Sequence, residues 1–147
     1  MDVMRIAIDE AKAAASRGEV PVGAVVISSV GSRVLARAGN EVRELNDPTA
    51  HAEMLAIRAA TANRGDLRLS DCDMYVTLEP CAMCASAISF ARFRKLIFGA
   101  YDTKSGGVEH GPRIFSQPTI HHVPEVIGGI LETDCSELLT IFFEKRR

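Results

Sequence analysis

The sequence lacks a long apolar run, a low-complexity segment and a pronounced net charge. Of its 147 residues, 47% are apolar and 24% are charged, an ordinary mixture for a folded globular protein. Between Met1 and Arg17, acidic and basic residues interrupt the apolar ones, so this stretch has neither a signal-peptide core nor a membrane span. We therefore expect a single folded domain over residues 1–147, located in the cytoplasm and not in a membrane.

Cysteine is scarce and unevenly spaced. The chain has four cysteines, and in a reducing compartment they would rarely form disulfides. Cys81 and Cys84 lie close together, which favours a metal or redox site. Cys72 and Cys135 stand alone, and we expect them to be small packed side chains.

A net charge of −2 excludes a general attraction to nucleic acid, because neutralisation of phosphates dominates such binding. Any contact with nucleic acid must then come from local patches of basic residues. Two stretches are candidates, namely Arg92, Arg94 and Lys95, and Lys145, Arg146 and Arg147. Each stretch is equally consistent with a solvated surface of no special function.

The hydrophobic pattern predicts helices alternating with buried strands. Helices are expected at about residues 4–15, 50–63, 81–93 and 136–145, and strands at about 22–27, 34–38, 74–78, 96–100 and 126–130. The first two strands are predicted to form a hairpin, and the Gly-rich stretch 106–112 a loop or short helix. This order predicts a three-layer αβα domain of the α/β class, with one sheet of about five strands between helices.

Two short motifs each stand where a helix is expected to begin. The first is His51-Ala52-Glu53, and the second is Pro80-Cys81-Ala82-Met83-Cys84. Residues three apart on a helix face the same way, so both cysteines can bind one ion, with His51 as the third ligand. One imidazole and two thiolates suit tetrahedral Zn²⁺, and the fourth position is left for water. The pattern therefore indicates a catalytic zinc site.

Glu53 lies two residues after His51, and such residues point to nearly opposite sides of a helix. Both can serve one centre only if the metal lies beyond the helix end. Glu53 would then reach the water instead of completing the ligand set. We predict that Glu53 is the general acid and base that moves the protons of the reaction.

A lone Cys-x-x-Cys would leave a redox pair or half of a structural zinc site open. Joined to the upstream His-x-Glu and to the preceding Thr77-Leu78-Glu79-Pro80, it matches the known signature of zinc-dependent nucleobase deaminases. His110, His121 and His122 have no cysteine or acidic partner at ligand spacing, and we interpret them as loop histidines.

Beyond the signature, nearly the whole chain resembles the bacterial tRNA-specific adenosine deaminases of the TadA type. The resemblance is carried by residues 19–24, 46–53, 75–84, 98–106 and 142–147, which read EVPVGA, NDPTAHAE, YVTLEPCAMC, FGAYDTKSG and FFEKRR. These stretches extend far beyond what zinc binding requires. The region from Val108 to Val123 fits the family pattern less closely.

The resemblance implies a cytidine deaminase-like fold with a mixed sheet, a homodimer, and one Zn²⁺ per subunit. It also implies that adenosine is converted to inosine at the wobble position of a tRNA anticodon stem-loop. By the same resemblance, Asn40 would contact the flipped adenosine, and Asp102 and Lys104 would line the groove for the anticodon loop. Phe143 and Arg146 would hold the neighbouring nucleotides, which accords with how proteins grip single-stranded loops.

Two other functions remain open at this stage. A free-base deaminase acting on guanine or cytosine would share the zinc motif, but it has no need for the basic C-terminus. A zinc-stabilised RNA-binding module without catalysis would have no need for Glu53 beside the open metal position.

Overall fold

The computed structural model describes residues 1–146, and Arg147, part of one predicted basic patch, lies outside the described residues. Its elements are α1 (Val3–Ser16), β1 (Gly23–Ser28), β2 (Arg33–Gly39), α2 (Ala52–Arg64), β3 (Cys72–Leu78), α3 (Ala82–Ala91), β4 (Lys95–Ala100), a short 3₁₀ turn (Ile114–Ser116), β5 (Glu125–Ile127) and α4 (Glu132–Glu144). No helix among the described residues is long and apolar enough to cross a membrane.

The five strands form one mixed sheet in the order β2-β1-β3-β4-β5. β1 pairs antiparallel with both β2 and β3, whereas β3, β4 and β5 run parallel. All six residues of β1 are buried, which explains why Gly23–Ser28 is almost continuously apolar and not alternating. The predicted α/β domain with one mixed sheet of about five strands is confirmed.

Helices cover both faces of the sheet. α2 and α3 pack on one face, where their small residues Ala56 and Ala85 share a core cluster with Val76. α1 and α4 lie on the other face, where Met4 and Cys135 belong to a second cluster. Cys72 and Cys135 are both fully buried free thiols, as expected from their isolation in the sequence.

The close approach of α1 to the sheet requires a glycine at position 23. A Cβ atom built on Gly23 would overlap with the carbonyl oxygen of Ala7 and lie 2.7 Å from the amide nitrogen of Ala11. Both are backbone atoms of α1, so neither can move aside without displacing the helix. The contact fixes α1 against the start of β1.

Several element boundaries differ from the predicted ones. Helix α2 begins at Ala52 and α3 begins at Ala82, because the residues before them, His51 and Cys81, have extended backbones. α3 ends at Ala91, since Arg92 adopts a left-handed conformation with φ of 63°. The last strand ends at Ile127, before two glycines. Helix α4 begins at Glu132, earlier than predicted, because the polar residues of its first turn lack the apolar pattern of a helix.

Four chain segments converge on one edge of the sheet. The parallel strands β3 and β4 both end there, at the register pair Leu78 and Ala100. The start of β1 and the end of β2 meet there as well, where Gly23 pairs with Gly39. The loops that leave this edge are long and carry the polar residues, as is usual for ligand sites of α/β sheets.

Candidate active site

The two predicted metal motifs stand at the N-termini of α2 and α3, directly above this edge. His51 and Cys81 are the N-cap residues of the two helices, and both have extended backbones. Neither side chain caps its own helix. Both side chains are thus directed past the helix end, where the partly positive helix N-termini favour thiolates.

The three predicted ligands come together at this point. Nδ1 of His51 lies 3.6 Å from Sγ of Cys81 and 3.5 Å from Sγ of Cys84. In a tetrahedral zinc site with ordinary bond lengths, a sulfur and a nitrogen ligand are about 3.6 Å apart. All three ligand atoms lie within 4.8 Å of one another. The donor set and its spacing therefore fit Zn²⁺, with His51, Cys81 and Cys84 holding it.

The three ligand side chains interact with one another. A hydrogen bond from the thiol of Cys84 lowers the pKa of Cys81 to about 4, and bonding to His51 acts in the same direction. The same interaction raises the pKa of Cys84. The hydrogen bond with Cys81 also raises the pKa of His51. A bound zinc ion replaces such protons, because coordinating thiols are deprotonated.

Glu53 lies in the first turn of α2 and is only 4% exposed. Burial raises the pKa of its carboxyl to about 7, and the nearby negative charge of Cys81 contributes. A carboxyl with such a pKa can both accept and release a proton near neutral pH. Glu53 lines the same cavity as His51 and Cys81 and is not one of the three residues of the ligand group. Its role in proton transfer stays a prediction.

A cavity of about 400 Å³ opens above the metal site, a size that suits a nucleoside. Its lining includes His51, Glu53 and Cys81 on one side and Asn40 and Asp102 on others. All of these were predicted from the sequence or from the resemblance. The structure thus brings two of the metal ligands, Glu53 and three of the expected substrate contacts, Arg146 being the third, around one space.

Asn40 links the end of β2 to the start of α2. Its Oδ1 accepts a hydrogen bond of 2.7 Å from the amide nitrogen of Ala52, so Asn40 caps α2 in place of His51. The amide nitrogen on the other branch of the side chain is the group available to a ligand in the cavity. One residue therefore supports the helix that carries Glu53 and faces the substrate space.

A shallower groove of about 710 Å³ adjoins the cavity and shares Asp102 and Arg146 with it. Lys104 and Phe143 also line this groove. Phe143 is 48% exposed, while the adjacent Phe142 is buried beneath the guanidinium of Arg146, 3.4 Å from its ring centroid. The four residues predicted to hold the anticodon loop are therefore placed together beside the cavity.

The other predicted basic patch lies elsewhere. Arg94 forms a bidentate ion pair with Asp73, and Lys95 pairs with Glu125. These residues lie at the start of β4, at the edge of the sheet opposite the active site. The solvated-surface interpretation applies to this stretch. None of the three loop histidines belongs to a metal-ligand group among residues 1–146.

Two buried carboxylates beside the cavity were not among the predicted site residues. Glu19 accepts hydrogen bonds from the amides of Arg43 and Glu44. Glu79 accepts hydrogen bonds from the loop after β4, including one from the amide of Asp102. Burial alone would raise the pKa of Glu79, but these hydrogen bonds hold its pKa below the ordinary value. The only signal in the sequence is an acidic residue beside an apolar strand, which does not reveal backbone partners more than 20 residues away.

A buried carboxyl beside a His/Cys/Cys zinc site, in a layered α/β fold, defines the class of zinc-dependent nucleobase deaminases. The model of the "cytidine and deoxycytidylate deaminase zinc-binding region" family matches residues 1–100. A tRNA-specific adenosine deaminase of Agrobacterium fabrum is 54% identical over 144 residues, which cover 98% of this chain and 93% of that protein. The chain belongs to the cytidine and deoxycytidylate deaminase family and, within it, to the tRNA-specific adenosine deaminases.

Solved structures agree with this assignment. One from work on A-to-I editing by tRNA:A34 deaminases at the wobble position matches with a TM-score of 0.90 and 55% identity, covering 92% of this chain and 97% of the other. A guanine deaminase from Bacillus subtilis matches with a TM-score of 0.66 and 30% identity, covering 97% and 90%. The tRNA-acting protein is the more similar of the two.

Zinc content should depend on the three ligands and not on the remaining cysteines. The purified protein should hold about one zinc per chain, and Cys84→Ala should lose it, because two ligands do not hold the ion against a chelator. The measurement is elemental analysis after dialysis against a weak chelator. Cys72→Ala is the matched control, since it removes an equally buried thiol far from the site. Full zinc retention by Cys84→Ala would contradict the ligand assignment.

Proposed function

We propose that this protein converts adenosine to inosine at the wobble position of a tRNA anticodon by zinc-dependent hydrolysis. The observation that carries the proposal is a His51, Cys81 and Cys84 ligand group beside a nucleoside-sized cavity that is lined by Glu53 and continues into a groove. Similarity to tRNA-specific adenosine deaminases over 98% of the chain supports the choice of substrate. A free base would occupy only part of the cavity and make no use of the groove.

A zinc ion held by His51, Cys81 and Cys84 would supply an activated water near neutral pH, the nucleophile that hydrolysis at C6 of adenine requires. Glu53 takes a proton from this water and delivers it to the purine ring. It then assists the transfer of a proton to the departing amine, so that water and adenosine become inosine and ammonia. Burial of the carboxyl keeps bulk water from competing for these protons.

Asn40 holds the base in the cavity. Its Oδ1 is committed to the amide of Ala52, so the side-chain nitrogen is the donor that can face a purine. The donor is fixed in direction because the other branch of the amide is bound to a helix N-terminus. A rigid donor orients the purine towards Glu53 without further loss of side-chain freedom.

The groove holds the nucleotides that flank the target. Phe143 offers an exposed ring for stacking, and Lys104 and Arg146 offer positive charge for phosphates. Asp102 mainly stabilises the loop after β4, since its Oδ1 accepts hydrogen bonds from the amides of Lys104 and Ser105. It thereby shapes the turn that presents Lys104.

The proposal also covers domain organisation, location and oligomeric state. Residues 1–147 act as one domain, since a single sheet supports every part of the site. The protein works in the cytoplasm, where tRNA is found.

The protein forms a homodimer through α3, whose Phe90 is 66% exposed and contacts His121 at the surface. A large aromatic side chain at such a position is typical of a protein interface.

An unmodified anticodon stem-loop with adenosine at the wobble position should be converted to inosine by the zinc-loaded protein. Reverse transcription reads the product as guanosine. Glu53→Gln should lower the rate by about 10² to 10⁴-fold, because the amide cannot carry the proton, while zinc content stays unchanged.

Free guanine and free cytosine serve as the competing substrates in the same assay, with ammonia as the readout. Ammonia from either base together with unedited RNA would refute the proposed substrate. Substantial activity in Glu53→Gln would refute the proposed proton transfer.

Asn40→Asp should separate the two tasks of this residue. The aspartate keeps an oxygen for the amide of Ala52, but it loses the donor that faces the cavity. We expect unfolding free energy to change by less than about 1 kcal/mol, while kcat/KM falls about a hundredfold or more. Thermal unfolding and editing kinetics measure the two effects. Asn63→Asp, the same change at the far end of α2, should retain activity, and an active Asn40→Asp would argue against substrate contact.

Phe90→Glu should convert the dimer to a monomer, because it places a charge in the proposed interface. Light scattering coupled to size exclusion gives the mass directly. Val30→Glu is the matched control, since Val30 is 74% exposed in the turn between β1 and β2 and lies outside the proposed contact. A wild-type protein that is monomeric at micromolar concentration would contradict the proposal.

A further inference from the structure

One wall of the cavity is built from a loop that has almost no hydrophobic core of its own. This loop, residues 102–110, follows β4 and supplies Asp102 and Ser105 to the cavity lining. Thr103, Lys104 and Ser105 are exposed, and Val108 is the loop's buried apolar side chain. Hydrophobic burial therefore does not account for the position of this wall.

A single carboxylate holds the loop instead. Glu79, whose side chain is 0% exposed, lies at the end of β3. Its Oε1 accepts from the amide of Asp102 at 3.1 Å and from Nδ1 of His110 at 2.8 Å. Its Oε2 accepts from the amides of Val108 at 3.2 Å, Glu109 at 2.9 Å and His110 at 3.2 Å. The donors come from both ends of the loop, so the carboxylate closes it.

Two glycines permit this close approach. A Cβ atom at Gly106 would overlap with Oε2 of Glu79 and with the carbonyl oxygen of Asp102. One at Gly107 would lie 2.6 Å from the amide nitrogen of Ala82, at the start of α3. The amide of Gly107 also donates to the carbonyl of Pro80 at 2.8 Å. The loop is thus packed against the segment that carries the metal ligand Cys81.

The charge on Glu79 matters because its partners are all donors. The two oxygens of Glu79 face five N–H groups, and charge-assisted hydrogen bonds are stronger than neutral ones. A glutamine has one acceptor oxygen, and its NH₂ group would face N–H groups on one branch. Because both oxygens of Glu79 are occupied by loop donors, this carboxylate is arranged to hold structure and not to carry protons.

We propose that Glu79 is a positioning residue that ties loop 102–110 to the metal-bearing segment and thereby sets how tightly the substrate is bound. The inference rests on the proposed function for its substrate, an RNA stem-loop, but the tie itself is a property of the protein alone. It assigns Glu79 a role in binding, whereas Glu53 acts in the chemistry.

The test is Glu79→Gln in the full-length, zinc-loaded protein, with two independent readouts. Hydrogen exchange measured by mass spectrometry should show faster exchange in the peptide that contains residues 108–110, because their amides lose the carboxylate. Steady-state editing of the anticodon stem-loop should show KM raised about tenfold, with a smaller change in kcat and no loss of zinc.

Gly106→Ala is the second variant, and it carries the test if Glu79→Gln does not fold. It leaves the carboxylate intact but forces the loop away from it, so it should raise KM and the exchange rate in the same way. Asp73→Asn is the matched control, because it neutralises a buried acid at the other end of β3, where Asp73 pairs with Arg94. It should lower stability without changing KM.

The outcomes separate the two proposals. If the wild-type protein edits no RNA, the proposed function fails, and the exchange rates still decide whether Glu79 ties the loop. If the wild-type protein edits RNA but KM is unchanged in both variants, the positioning role is overturned. A fall in kcat at constant KM, or a loss of zinc in Glu79→Gln, would also overturn it, since Glu79 would then act on the chemistry or on the metal.

Discussion

The N-termini of α2 and α3 lie close together above the carboxyl ends of the parallel strands, and the active site depends on this arrangement. His51 and Cys81 occupy the cap positions with extended backbones, which sends their side chains beyond the helices to a common point. The helices thereby lose the caps that these positions usually provide. Asn40 replaces the missing cap of α2, so a residue of the cavity wall also stabilises the helix that carries Glu53. Catalytic geometry and helix stability are therefore linked at this edge.

Buried charge supports the walls around this point. Glu19 and Glu79 lie on different walls of the cavity, and each accepts hydrogen bonds from backbone amides of a loop more than 20 residues away. An isolated buried carboxylate is costly, but several amide donors offset the cost and fix the loop in return. Such loops need few apolar residues, which leaves their outer side chains free to contact a polar substrate. This explains how exposed, polar loops can still form a well-defined cavity.

The sequence predicts most of the fold because the periodicity of the strands and helices is strong. Its errors at the starts of α2 and α3 occur where local function opposes local preference. The helices predicted to start at Ala50 and Cys81 begin later, because the ligands His51 and Cys81 must be extended to reach a metal. The three ligands and Glu53 are predictable since they form a compact motif at fixed spacing. The role of Glu79 is not, because its partners are backbone amides, which any sequence could supply.

The weak overall charge constrains how the proposed substrate can be recognised. A chain with a net charge of −2 cannot rely on long-range attraction to RNA, and Arg94 and Lys95 are neutralised by acids away from the site. Within the groove, Lys104 and Arg146 supply local charge, while Phe143 supplies a stacking surface. Few phosphate contacts mean that affinity must come mainly from shape, stacking and the fixed position of the walls. On the proposed role of Glu79, substrate binding then depends on how firmly the loops are held by the buried carboxylates beneath them.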